Sequence, residues 1–160
     1  MPDMFMKLDG IDGESKDASH SGEIDVLSVS FGMSNAGSFG MGSGGGVGKV
    51  SIQDLVFTKL VDKATPTLML KCATGDHIDK ATLTVRKAGG TALEFYTIEL
   101  DKVFITSLTN GGSNGGGDGL TENVSLNFAT VTINYTPQDD TGSASTAIPF
   151  NWDLQQNQSN

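Results

Sequence analysis

The stretch Asp9–Gly32 reads DGIDGESKDASHSGEIDVLSVSFG and decides the fold. Its first half is acidic and rich in turn formers, with Asp9, Asp12, Glu14 and Asp17. Its second half places Ile24, Val26, Leu27, Val29 and Phe31 around Ser28 and Ser30. Side chains alternate across a strand, so Ile24 and Val26 point to one face, and Leu27, Val29 and Phe31 to the other. The predicted strand changes phase near Val26. A bulge or sheet corner does this, and it puts Ser28 and Ser30 outward once Leu27, Val29 and Phe31 are committed to the core.

Glu122 to Tyr135 repeats the pattern: Val124, Leu126 and Phe128 share one phase, while Val131, Ile133 and Tyr135 have switched. Two strands that turn corners predict a mainly all-β fold, a two-sheet antiparallel β-barrel or orthogonal sandwich. Around these, Met4, Met6 and Leu8 mark a first strand, and Val50, Ile52, Leu55, Val56 and Phe57 a further one. Ala81, Leu83 and Val85 lead through Gly89-Gly90 into a hairpin returning over residues 93–100, and another strand covers 103–108. One short helix is framed by Thr65 as N-cap, Pro66 at the first helical position and Gly75 as the left-handed stop. Leu68, Met69, Cys72 and Ala73 form its sheet-facing side. Ile148, Phe150 and Trp152 end a single domain, 1–153, before a polar, frayed tail, 154–160.

At 160 residues the chain is one domain in size. Ten basic against 19 acidic residues give a net charge of −9, which disfavours nucleic acid and anionic lipid. With one cysteine no intrachain disulfide forms. The N-terminus, MPDMFMKLDG, lacks the basic start and apolar run of a secretory signal, and no long apolar segment predicts membrane insertion. The 21 glycines concentrate in two loops, 32–48 and 111–119. The first is longer than a strand connection needs, and long loops in compact domains carry function.

Chemical motifs fail on context. Gly40-Met41-Gly42-Ser43-Gly44-Gly45 satisfies G-x-G-x-x-G, but a strand follows where a phosphate-binding helix is required. Gly48-Lys49 resembles the end of a P-loop, yet Val50 stands where Ser or Thr must reach magnesium. The acidic loop lacks EF-hand spacing and reads as solvated, and GGSNGGGDG is a single imperfect copy of a repeat that works in tandem. Cys72 and His77 have no third residue to complete a triad, and His20 reads as a turn residue bonded locally. No catalytic, cofactor-binding or metal-binding residue is assigned, and no enzyme activity or cofactor is expected.

The segments MFMKLDGIDGESKDASHSGEIDVLSVSFG (4–32), VGKVSIQDLVFTKLVDKATPTLMLKC (47–72), LTVRKAGG (83–90) and LTENVSLNFATVTINY (120–135) together resemble the hemolysin-coregulated protein (Hcp) family, the tube subunits of the type VI secretion system. The resemblance implies a two-sheet β-barrel with one flanking helix, a homo-hexamer whose rings stack into a hollow tube, and small effector proteins carried in the lumen. Sheath and spike components are the implied partners. Cytoplasmic folding followed by export without a cleaved signal is the implied localisation, and no added C-terminal enzyme domain is expected beyond Asn160. Within that frame Ser28 and Ser30 are candidate lumen and effector contacts. The loop Gly40, Met41, Gly42, Ser43, Gly44, Gly45 and Gly46 is the candidate subunit contact, ordering on assembly. Six copies at −9 repel, so Lys16, Lys49, Lys59 and Lys63 are candidates for pairing at contacts. The alternative is a monomeric β-barrel binding module for a small ligand or carbohydrate.

Overall fold

A computed structural model describes residues 1–37, 39, 47–88, 92–115, 117 and 119–160. In chain order the elements are β1 (Asp3–Leu8), β2 (Ile24–Asp25), β3 (Ser28–Ser30), β4 (Met33–Gly37), β5 (Val47–Ile52), β6 (Leu55–Leu60), α1 (Thr65–Thr74), β7 (Ile78–Arg86), β8 (Glu94–Gly111), β9 (Thr121–Asn127), β10 (Thr130–Tyr135) and β11 (Ile148–Asp153). The pairings are antiparallel. Sheet 1 runs β11-β10-β8-β7-β1-β2, and sheet 2 runs β8-β9-β6-β3.

The strand β8 belongs to both sheets. Its Leu100 lies opposite Ala81 and Val131 in sheet 1, and its Leu108 lies opposite Val124 in sheet 2. Between these regions Lys102 has φ of 54°, the left-handed region that non-glycine residues avoid, and this kink turns the strand. The sequence reading divides the 18 residues of β8 into two strands, because a bend interrupts alternation as a break would.

Both predicted corners are present. Val26 N–H donates to the Met4 carbonyl in sheet 1, while the next residue, Leu27, donates its N–H to the Thr58 carbonyl in sheet 2. The second crossing passes through Phe128 and Ala129, from β9 in sheet 2 to β10 in sheet 1. The sheets are not closed into one continuous ladder: they meet at the bent β8 and at these covalent crossings. Between them Met6, Leu55, Phe57, Leu83, Leu100, Ile105, Val124, Leu126 and Val131 form a dry core. Leu27, expected in that core, is 53 % exposed, because it is the residue that makes the crossing. Val29 and Phe31 are half-buried against the core.

The first glycine-rich region holds more strand than expected. β4 and β5 form a separate two-stranded ribbon, with Met33 opposite Ile52 and a register shift between Asn35 and Gly37. β5 and β6 are two strands rather than one. They break at Gln53, whose N–H donates to the Gly32 carbonyl.

The helix starts one residue earlier than predicted. Ala64 occupies the cap position and supplies no side-chain cap; Asp62 Oδ1 accepts the Ala64 N–H, and the hydroxyl of Thr65, now inside the helix, donates to Glu122 Oε2. Gly75 ends α1 at φ of 75°, donating its N–H to the Lys71 carbonyl. Of the predicted apolar face only Leu68 is fully buried. Cys72 is half-buried, and Met69 and Ala73 are exposed, because α1 lies along one strand, β8, rather than across a sheet. The hairpin after β7 is present, with Lys87 N–H donating to the Leu93 carbonyl, but its Gly89-Gly90 turn lies outside the described residues. The tail is tethered rather than frayed: Leu154 packs on the core and donates its N–H to the Ala129 carbonyl, and Asp153 and Gln158 bond each other's backbone.

Candidate functional site

The outward side of sheet 2 is built from the residues that alternate with the core. Across four strands, Ser28 stands beside Thr58, Asn123 and Thr109, and Ser30 beside Val56, Ser125 and Ser107. Both rows are uncharged, in a chain of net charge −9. Ser28 and Ser30 are exposed, as the sequence predicted. Thr58 donates its hydroxyl to Asn123 Oδ1 (2.6 Å), so neighbouring strands also bond through this surface. At its edge the Asp54 carboxylate accepts from Thr106 Oγ1 (2.7 Å) and Asn127 Nδ2 (2.9 Å). The sequence reading does not name Asn123 and Ser125; their alternation with Val124 and Leu126 is the signal that marks them as outward, while their register with Ser28 and Ser30 is not local.

The inward side of the same strands carries two charges. Lys59 and Glu122 face each other across β6 and β9, both fully buried, at 2.5 Å. Lys59 Nζ also donates to Asp62 Oδ1, Thr65 Oγ1 and the Leu60 carbonyl, and the Thr65 hydroxyl donates to Glu122 Oε2. Lys59 is therefore committed inside the subunit and is not available for a subunit contact. Lys16, Lys49 and Lys63 are exposed. A buried ion pair of this kind fixes the register of β6 against β9 and ties the start of α1 to both.

The outer side of sheet 1 is charged. Lys80 pairs with Glu99 at 2.7 Å, and Arg86 pairs with Asp17 at 2.7 Å and Asp3 at 3.1 Å. The Arg86 guanidinium bonded to Asp17 holds that carboxyl at a pKa of about 2. The carboxylates of Asp9, Asp12 and Glu14 are exposed, as expected of a solvated loop, but the backbone that carries them is packed. Ile11, Gly13, Ser15 and His20 are buried, and Gly13 N–H donates to the Gly22 carbonyl while Ser15 N–H donates to that of Glu23. A Cβ at Gly13 would collide with the Glu23 carbonyl, so the segment needs glycine there. His20 bonds beyond its own turn, reaching Glu94 at the start of β8.

Cys72 and His77 do not form a catalytic pair: no hydrogen bond joins them among the described residues, and the exposed His77 packs edge-on against Phe104. Gly40, Met41, Gly42, Ser43, Gly44, Gly45 and Gly46 lie outside the described residues, between β4 and β5. Val61, Leu60, Leu27 and Leu120 leave apolar surface at the end of sheet 2.

The chain is thus an antiparallel two-sheet β domain with one neutral and one charged outer face and a separate two-stranded ribbon. The comparisons make that class specific. A family model described as "Type VI secretion system effector, Hcp" matches residues 5–135. The chain is 51% identical over 157 residues to protein hcp1 of Pseudomonas aeruginosa, covering 97% of this chain and 96% of that protein. Among solved structures, Hcp1 from Salmonella typhimurium superposes with a TM-score of 0.81 at 33% identity, covering 100% of both chains. A type VI secretion system effector from Yersinia pestis gives 0.78 at 34% identity, covering 94% of this chain and 99% of that one. The chain belongs to the Hcp family, and it is a type VI secretion tube protein. That family is one of secreted structural proteins and is not a known enzyme family. No helix among the described residues is long and apolar enough to cross a membrane.

Proposed function

We propose that six copies of this chain form a ring, that rings stack into a hollow tube, and that the outer side of sheet 2 lines the bore. The observation that carries this reading is the pair of uncharged rows through Ser28 and Ser30. Small side chains keep the bore open. Neutral hydrogen-bonding groups hold a passing effector protein without the strong charge-assisted bonds that would slow its release. The working unit is the domain 1–153. The ribbon β4–β5, together with the 40–46 segment between its strands in sequence, is the contact to a neighbouring subunit. Sheath and spike components act on the assembled tube, which forms in the bacterial cytoplasm and is then secreted. Family membership does not favour the monomeric binding-module reading.

Exchanging Ser30 for Arg tests the assignment. Effector co-expressed with the variant should no longer co-purify with rings, while negative-stain images still contain six-fold rings. Full retention of effector on intact Ser30→Arg rings would overturn the placement of this face in the bore.

A further inference from the structure

The segment 9–23 folds back over the outer side of sheet 1, and its attachment is unusual. His20 is buried with its ring stacked on Phe5 at 4.3 Å and 10°. Its Nδ1 lies 2.8 Å from Glu23 Oε2 and its Nε2 lies 2.6 Å from Glu94 Oε1. A neutral imidazole carries one N–H, so one of these contacts would set a nitrogen lone pair against a carboxylate oxygen. Imidazolium donates to both. Phe5 is in turn covered by Arg86, whose guanidinium sits 5.0 Å from the ring centre and bonds Asp3 and Asp17.

We infer that 9–23 is a strap latched onto sheet 1 by the protonated His20, and that it loosens when His20 loses its proton. The charges bonded around the histidine are Asp3 on β1, Asp17 and Glu23 in the strap, Arg86 on β7 and Glu94 on β8, and Asp25 on β2 lies opposite Phe5. With His20 charged, two cations face four carboxylates. With it neutral, Arg86 faces four alone, and one of the two carboxylate bonds of His20 is lost. Burial draws the His20 pKa down, but bonds to Glu94 and Glu23, and their charges, prevail and the net shift is upward. A raised folded-state pKa means the latch is fully engaged below the ordinary histidine value and is lost as pH rises through the folded value. The strap also touches the helix end of the molecule, where Glu14 Oε2 accepts the Lys63 N–H, so release frees one contact of the α1 approach as well.

Hydrogen exchange on the full chain tests this, with rates corrected for intrinsic pH dependence and His20 titrated by NMR in the same samples. The strap amides of Gly13, Ser15 and Gly22 should lose protection by about tenfold per pH unit as pH rises from the ordinary histidine value to the folded His20 midpoint, and level off above it. Amides of β7 and β8 should hold theirs. Glu94→Gln should lower the His20 midpoint and move strap release down with it, and His20→Gln should leave the strap unprotected at every pH. Protection that stays flat from the ordinary histidine value up to the His20 midpoint would overturn the latch. So would a Glu94→Gln variant whose midpoint is unmoved, or a His20→Gln variant whose strap stays protected.

Discussion

The two sheets of this domain share a core and differ in what they show outside it. Sheet 1 presents Lys80, Arg86, Glu99, Asp3 and Asp17 in bonded pairs, crossed by a strap. Sheet 2 presents Ser28, Ser30, Thr58, Asn123 and Ser125, and keeps its charged pair, Lys59 and Glu122, on the inside. The two surfaces suit different work. Ion pairs and a strap suit a surface that must be held in one arrangement. A neutral hydrogen-bonding surface suits contacts that form and release repeatedly.

The sharpest way to break this contrast is inside sheet 2. Glu122→Ala leaves the Lys59 ammonium buried without its nearest carboxylate and should cost about 3–5 kcal/mol, read from the urea midpoint. Replacing both residues together, as Lys59→Met with Glu122→Leu, should recover most of that loss, since matched apolar groups avoid the desolvation of two ions.

On sheet 1 the expected effect is smaller and depends on pH. Asp17 has a folded-state pKa of about 2, held down first by its bond to Arg86. Its contribution is present above the ordinary aspartate value and is lost as pH falls through about 2. Arg86→Gln should therefore remove that part of the acid dependence between the two values, measured as thermal midpoint against pH. The outer side of sheet 2 should respond least in stability. Ser30→Arg is an exposed change expected to stay within about 0.5 kcal/mol, while abolishing effector retention. Salt separates the two functions of the subunit: ring assembly of a −9 chain should improve as sodium chloride screens repulsion, and effector retention on the neutral face should stay level.

Both corners were legible in the sequence because a phase switch is local: Ile24 and Val26 against Val29 and Phe31, and Val124 to Phe128 against Val131 to Tyr135. Ser28 and Ser30 were legible for the same reason. What lay beyond reach was long-range. Nothing near Lys59 announces Glu122, nothing near His20 announces Glu94, and an acidic run looks solvated until Arg86 is brought to it by strand pairing. Leu27 and the helix face of Met69 and Ala73 mislead because apolar character predicts burial only where something packs on top, and neither the crossing nor the narrow helix contact supplies it.

The placement of sheet 2 against the bore is tested most directly by labelling. With Cys72 replaced by Ser, Ser30→Cys rings carrying a small gold cluster should show end-on density inside the bore. A Lys7→Cys label, on the exposed outer side of sheet 1, should mark the outside of the ring. Gold from Ser30→Cys found on the outer circumference, with Lys7→Cys inside, would contradict the account.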